Sequence, residues 1–256
     1  MEPAKVTVFF IDDLQVVRPN EVGNSELIRR VAQDLGATLH EFDLEAQFRV
    51  AGSEGYINWV DSMLRTRPTG DDSWDTEDFD FKIADSVQEL EAMIREKHTA
   101  GSKARLTAGF CWPWSNPDSE GNLIPDVKID DWAVPWNAKS GVKLAPGIPR
   151  TSLWATDPNG LEQVGCIYTA QGFEFDYVGV IFGQDLRYDP DSDSWIGDKS
   201  KSHDRMGARS AKTEGEFLDL VKNTYRVLLT RGMKGCYVYF QDEDTRNFFK
   251  SRIEAM

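Results

Sequence analysis

The chain has 256 residues, which is enough for one large domain or two small ones with a substantial core. Hydrophobic residues make up 40% of it, which indicates a folded globular protein and not a disordered one. The formal net charge of −14 excludes broad, non-specific binding of nucleic acid, although a local basic groove remains compatible with it.

Targeting and redox signals in the sequence are few. Polar and acidic residues interrupt every apolar run well short of a membrane span, so we expect no transmembrane helix and no membrane partner. Cys111, Cys166 and Cys236 lie far apart and have no metal-type spacing. They are typical of buried free thiols in the reducing cytoplasm, and we predict no metal ligands among the site residues.

Predicted strands alternate with predicted helices along the chain. The strands are 5–13 (KVTVFFIDD), 37–44, 79–85, 103–112, the later part of 164–183 and 234–242. The helices are 25–36 (capped by Asn24 or Ser25), 53–65 (capped by Ser53), 86–101 (capped by Ser86), 215–232 and 244–256. This order predicts an α/β fold with a mostly parallel sheet that carries helices on both faces.

Two stretches interrupt the alternation. Residues 113–160 are rich in Pro, Gly, Asn and Asp and contain several tryptophans, and residues 185–213 are polar and charged. We predict that both are irregular insertions and that the second is mobile. Trp132, Trp136 and Trp154 are expected to pack the first insertion onto the sheet.

Four polar groups stand out beside the predicted elements. Three of them are expected at or near the carboxyl ends of parallel strands, where ligands bind in open sheets, and the fourth ends the long helix. They are Asp12 with Gln15, Gln47 with Arg49, the loop 169–174, and Thr230 with Arg231. Each group alone also has a structural interpretation, because carboxylates cap helices and arginines stabilise helix ends.

Taken in order, these groups resemble the motifs of superfamily 1 helicases. The strings IDDLQ, LEAQFR, IYTAQGFEFDYVGV and YRVLLTRG are similar to motifs III, IV, V and VI, although Ile11 stands where many relatives have glycine. The chain looks closest to a bacterial helicase-like family related to the C-terminal part of Schlafen proteins. VFFIDDLQVVRPNEVG, LEAQFRVAGSEGYINWVD and AGFCWPW are similar to strings typical of that family. The resemblance covers nearly the whole chain outside the two insertions.

This resemblance implies a RecA-like fold of the P-loop NTPase type and assigns roles to particular residues. Arg49 and Arg231 would act as arginine fingers on the γ-phosphate, and Gln15 would sense that phosphate. Other residues would contact the nucleotide: Asp12, Gln171, Gly172, Glu174 and Thr230.

The sequence contains neither the Gly-rich P-loop nor the motif II Asp-Glu that would hold Mg²⁺. The resemblance therefore assigns 1–36 to the last strand and helix of a first RecA-like domain, and 37–256 to a second. ATP and Mg²⁺ would bind in a protein that also has an upstream P-loop half. Alone, this chain is expected to bind nucleotide weakly and to hydrolyse it negligibly. The alternative is a non-catalytic helicase-like module that binds nucleic acid or a protein partner.

Candidates for contact with single-stranded DNA or RNA are fewer. Trp112 and Trp114 are able to stack on bases, but packing at the sheet edge is the interpretation we favour. Thr169 of motif V is the third candidate. The stretch 199–212 (KSKSHDRMGARSAK) is the best local basic patch, and we favour a solvated loop over a phosphate contact there.

Overall fold

The computed structural model describes residues 4–19, 24–42, 54–67, 74 and 79–254. In chain order the strands are β1 (Asp80–Ile83), β2 (Ala104–Ala108), β3 (Val127–Ile129), β4 (Trp132–Val134), β5 (Val164–Gly165), β6 (Phe175–Phe182), β7 (Leu186–Asp189), β8 (Ser194–Gly197) and β9 (Gly232–Phe240). The helices are α1 (Ser25–Asp34), α2 (Glu54–Leu64), α3 (Val87–Thr99), α4 (Ile167–Ala170), α5 (Glu214–Leu229) and α6 (Glu243–Ile253).

A five-stranded parallel sheet with the order β1-β9-β6-β2-β5 forms the centre of the fold. Side chains alternate across it, so Val178, Val180 and Phe182 of β6 join one core cluster while Ile181 joins the other. Helices α2, α5 and α6 contribute to the first cluster and α3 to the second. The prediction of a mostly parallel sheet with helices on both faces is confirmed.

The helices begin where the sequence predicts caps. Asn24 accepts a hydrogen bond from the Leu27 amide at 2.8 Å, and Ser86 accepts one from the Glu89 amide at 3.1 Å. Helix α3 is followed by Gly101 with φ +90°, a left-handed conformation that favours glycine. The predicted cap Ser53 lies outside the described residues.

The predicted strand 5–13 does not form a ladder with any other described residue. The residues from Val6 to Ile11 are exposed, with Val6 at 79% and Phe10 at 83%. Nor do residues 37–42 of the next predicted strand belong to a sheet, and Phe42 is 86% exposed. In both segments the prediction of a strand is wrong for the described residues, because no sheet edge lies beside them.

Both insertions are more regular than predicted. The first contains the antiparallel hairpin β3–β4 and the second the antiparallel hairpin β7–β8. Arg105 of β2 anchors the first insertion. Its guanidinium donates to the carbonyls of Trp154 and Asp157 in the insertion and of Ala104 in β2, at 2.6–2.9 Å. Trp132, Trp136 and Trp154 are buried, which confirms that they pack this insertion onto the sheet.

The three cysteines are free thiols, as predicted. Cys166 and Cys236 are buried, and burial raises the pKa of the Cys236 thiol to about 12. Cys111 is partly exposed, so burial is incomplete for one of the three. Among the described helices we find none with the length and apolar character that a membrane span requires.

Candidate functional site

The segment Asp12–Arg18 lies against α4 and α5, although it is distant from them in sequence. Asp12 caps a short 3-10 helix through the Leu14 amide, and the Gln15 side chain donates to Asp12 Oδ2 at 2.9 Å. The next residue, Val16, accepts a hydrogen bond from Asn223 Nδ2 of α5 at 2.9 Å. Val17 is fully buried in the first core cluster. The predicted motif III segment is therefore anchored to the body of the domain.

The loop after α4 contacts this segment directly. Gln171 Nε2 donates to the Gln15 carbonyl oxygen at 3.3 Å. The next residue, Gly172, is exposed and has φ +92°, and a Cβ there would meet no atom within 4 Å. Only the backbone conformation disfavours a side chain at this position. Glu174, two residues further on, is also exposed. The predicted motif III and motif V segments are thus neighbours in space.

The same loop is bonded to the end of α5. The Phe175 amide donates to the Arg231 carbonyl oxygen at 3.1 Å, and Phe175 is the register partner of Gly232. Residues just before β6 and β9 therefore lie together at the amino ends of these two strands. The expectation of a carboxyl-end site is wrong for this loop, because it follows helix α4 and precedes β6, which places it at the amino end of that strand.

Thr230 and Arg231 are both buried. The Thr230 hydroxyl donates to the Arg226 carbonyl oxygen at 2.9 Å, so it closes the last turn of α5. Arg231 is 2% exposed, so its side chain lies in the interior of the domain and not at the surface. Arg49, the second predicted arginine finger, lies outside the described residues.

A buried ion pair that the sequence does not predict holds the end of α5 against α2. Asp61, fully buried, accepts from Arg226 Nε at 2.5 Å and from Arg226 Nη2 at 3.1 Å. Thr66 Oγ1 donates to the same carboxylate at 2.6 Å, and Arg67 Nε donates at 2.8 Å. Tyr56 OH donates to the Leu229 carbonyl oxygen at 3.1 Å. The signal in the sequence is an aspartate within the apolar run YINWVDSML.

The predicted nucleic-acid residues are engaged in internal hydrogen bonds. Trp112 Nε1 donates to the Lys128 carbonyl oxygen and Trp114 Nε1 to that of Asn137, each at 2.9 Å. Thr169 is 6% exposed, and its hydroxyl donates to Asn137 Oδ1 at 2.7 Å. The two tryptophans belong to the second core cluster, Trp112 buried and Trp114 at its margin. Their contact with bases stays a prediction.

A separate cluster surrounds Tyr168, the residue before Thr169. The Arg18 guanidinium lies 3.8 Å from the centre of the Tyr168 ring, and the Tyr168 hydroxyl donates to Asp204 Oδ2. The pKa of Tyr168 is raised well above its usual value, mainly by burial and to a smaller extent by the hydrogen bond to Asp204. The segment Asp12–Arg18, helix α4 and the second insertion therefore meet at Tyr168.

The sheet order and the segments that meet at the ends of β6 and β9 define an α/β protein with a parallel sheet compatible with RecA-like domains. Residues 1–242 match the family described as Schlafen group 3, DNA/RNA helicase domain, and the chain belongs to that family. This confirms the resemblance that the motif strings indicated.

A curated relative comes from Saccharomyces cerevisiae and is described as the uncharacterized protein YPL245W. The chain is 27% identical to it over 274 aligned residues, which cover 96% of this chain. The chain spans 57% of the length of the yeast protein.

Proposed function

We propose that this chain is the C-terminal RecA-like portion of a superfamily 1 DNA or RNA helicase or translocase, and that it completes an ATP site begun by an upstream P-loop half. The observation that carries the proposal is the convergence of three segments distant in sequence. Gln171 bonds the Gln15 carbonyl oxygen at 3.3 Å, and the Phe175 amide bonds the Arg231 carbonyl oxygen at 3.1 Å. In this proposal the segments that carry Gln15, Gly172 and Arg231 form one side of the nucleotide cleft.

Each segment has a chemical role in that cleft. Hydrolysis of ATP develops charge on the oxygens of the γ-phosphate, and a planar guanidinium stabilises that charge by bidentate hydrogen bonds. Arg231 and Arg49 would supply the guanidinium groups. The exposed backbone at Gly172 leaves open space for a nucleotide, and Glu174 beside it suits a ribose hydroxyl. Mg²⁺, held by the upstream half, would neutralise phosphate charge.

The burial of Arg231 adds a requirement to this proposal. At 2% exposure, its side chain has to become accessible before a γ-phosphate is able to reach it. Joining of the two halves or binding of nucleotide would have to produce that change, as in other proteins in which closure completes a catalytic site. This requirement separates the active complex from the isolated chain, for which we expect negligible hydrolysis.

The exposed run Val6–Ile11 supports an upstream partner that contributes a β-sheet. A continuous apolar and β-branched run is typical of a strand that is buried on both faces of a parallel sheet. Here Val8 is 70% exposed and Phe10 83%, and no described strand pairs with this run. A partner with a free parallel sheet edge would cover both the apolar side chains and the open backbone groups.

Charging this run is expected to abolish association with the P-loop half. The double substitution Val8→Asp with Phe10→Asp should raise the dissociation constant by about 100-fold or more, because two buried carboxylates oppose the interface. The melting temperature of the chain alone should stay unchanged, since both side chains are exposed. Leu153→Asp with Ile196→Asp, at positions 48% and 40% exposed in the two insertions, is the control with the same added charge and should leave the affinity as it is. An unchanged affinity of the double variant in a titration would contradict the role of the run.

The function itself is tested by ATP turnover. We expect the complex of this chain with its P-loop half to hydrolyse ATP, and single-stranded DNA or RNA to stimulate the rate. Neither half alone should do so. A complex that assembles but does not hydrolyse ATP with either nucleic acid would overturn the catalytic proposal.

The burial of Arg231 also favours a second candidate, a helicase-like module that binds nucleic acid or protein without turnover. In that case the convergence of the three segments would be structural. Binding of oligonucleotides that persists in a complex without ATP hydrolysis would support this second candidate.

A further inference from the structure

The second insertion contains a cationic segment on an otherwise acidic protein. We call residues 199–212 the basic loop, since it carries five Lys or Arg residues and a single acidic residue, Asp204, in a chain of net charge −14. Lys201, Arg205 and Arg209 are exposed, and the neighbouring Met206 is 84% exposed. The basic loop is therefore a positively charged segment in a protein whose net charge is negative.

The basic loop has a defined internal structure, in contrast to the solvated mobile loop that the sequence indicates. Asp204 is 7% exposed, and its carboxylate accepts from the amides of Gly207 at 3.0 Å and Ala208 at 3.2 Å. A Cβ at Gly207 would lie 1.9 Å from the Tyr168 hydroxyl, so only glycine permits this close approach. The one negative charge thus faces inward, and Lys201 and Arg205 are exposed. Arg209 is exposed too, although its guanidinium also donates to the Ser202 carbonyl oxygen at 3.3 Å, and Lys199 pairs with Glu214 at 3.3 Å.

The basic loop is also bonded to the aromatic segment that follows β2. The His203 amide donates to the Phe110 carbonyl oxygen at 2.7 Å. The Phe110 ring is stacked on Trp136 and lies edge-on to Trp114, with centroids 5.5 and 5.9 Å apart respectively. Phe110 and Trp114 are both partly exposed. The basic loop and the partly exposed rings of Phe110 and Trp114 are therefore neighbours beyond the carboxyl end of β2.

We propose that this surface binds single-stranded nucleic acid, with Lys201, Arg205 and Arg209 on the phosphates and the rings of Phe110 and Trp114 beside the bases. Grooves for single strands combine basic side chains that follow the backbone with aromatic side chains that stack on bases. The acidic remainder of the chain repels phosphates and confines them to the basic loop. The proposal rests on the proposed function only in its choice of nucleic acid as the polyanion. Because Asp204 bonds Tyr168 next to Thr169, the bound strand would lie beside the segment that leads to Gly172.

The test compares two triple variants of the full chain that have the same net charge. The loop variant is Lys201→Gln, Arg205→Gln and Arg209→Gln. The control is Lys103→Gln, Lys143→Gln and Arg150→Gln, which removes three exposed cations elsewhere. Fluorescence anisotropy with a labelled oligo-dT and an oligo-U of about 20 nucleotides, near the span of one or two binding sites, gives the affinity over a series of salt concentrations.

For the loop variant we expect a dissociation constant at least about 10-fold higher than that of the wild type at 50 mM salt. The slope of the logarithm of the association constant against the logarithm of the salt concentration should become less steep by about 2. Three phosphate contacts are lost, and each contact on a single strand contributes about 0.7 to the slope. The control should bind as the wild type does, and a duplex of equal length should bind more weakly than the single strands.

Several outcomes would overturn the proposal. They are an equal loss of affinity in both triple variants, an absence of binding by the wild type at 50 mM salt, and equal affinity for the duplex. Tighter binding to vesicles of anionic phospholipid would assign the basic loop to a membrane surface instead. ATP turnover is measured separately, so loss of turnover with intact loop-dependent binding would contradict the proposed function and leave this inference standing.

Discussion

Replacing Arg231 with alanine is expected to lower kcat for ATP hydrolysis by the complex with the P-loop half about 10³-fold or more. The guanidinium in this position would stabilise charge that develops only in the transition state, so KM should change far less than kcat. Steady-state hydrolysis at saturating single-stranded nucleic acid measures both constants.

A buried arginine also supports the fold, so this variant needs a control that separates structure from catalysis. Arg105 is buried to the same extent, 2% exposed, and its guanidinium donates to three backbone carbonyls of the chain. Arg105→Ala should lower the free energy of unfolding while the folded fraction keeps its kcat. Arg231→Lys, which keeps the charge but loses the bidentate geometry, should remain strongly impaired. Equal losses of kcat in Arg105→Ala and Arg231→Ala would show that Arg231 acts through the fold alone.

Removing Asp61 is expected to have the largest effect on stability. In Asp61→Ala the Arg226 guanidinium would stay buried without its carboxylate, and a broken buried ion pair typically costs about 3–5 kcal/mol. Arg226 is 8% exposed, so solvent is not able to replace the lost partner without a rearrangement of α2 and α5. The free energy of unfolding from urea denaturation, at an unchanged m value, measures the effect.

A double variant shows whether the pair or its separate members matter. Asp61→Leu with Arg226→Met replaces the ion pair by apolar side chains of similar size, which is often neutral or stabilising. We therefore expect it to recover most of the stability that Asp61→Ala loses. A loss below about 1 kcal/mol in Asp61→Ala, the size of an exposed ion pair, would contradict a buried network.

The elements that the sequence predicts well are those with strong local signals. Helices α1 and α3 begin at the predicted capping residues Asn24 and Ser86, because a cap is a local hydrogen bond between neighbours in sequence. The long apolar runs of β6 and β9 form central strands, since both of their faces are covered.

The elements that the sequence misses depend on contacts between distant residues. The hairpin β7–β8 lies in a stretch whose polar composition resembles a loop, and β5 is only two residues long. The run 5–13 has the composition of a strand but lacks a neighbouring sheet edge among the described residues. Composition specifies that a segment is able to form a strand, whereas a partner decides whether it does.

The candidate site likewise combines features that the sequence predicts with features that it does not predict. The strings around Gln15, Gln171 and Arg231 predict their segments as one site, and hydrogen bonds between those segments support this. Asp61 and Arg226 are separated by 165 residues, so no local pattern identifies them as partners. The prediction of a site at the carboxyl ends of the strands is wrong for the loop 169–174, because these residues precede β6 and lie at its amino end.

The most direct measurement is the affinity of this chain for its P-loop half in the presence of ADP with aluminium fluoride, which mimics the γ-phosphoryl group during transfer. For the wild-type chain we expect an affinity at least about 100-fold tighter than with ADP alone, because a guanidinium that contacts this group binds the transition-state mimic selectively. Arg231→Ala should lose that gain and keep the affinity measured with ADP. Equal affinity with both nucleotides, or an undiminished gain in Arg231→Ala, would contradict the claim that this chain completes the ATP site.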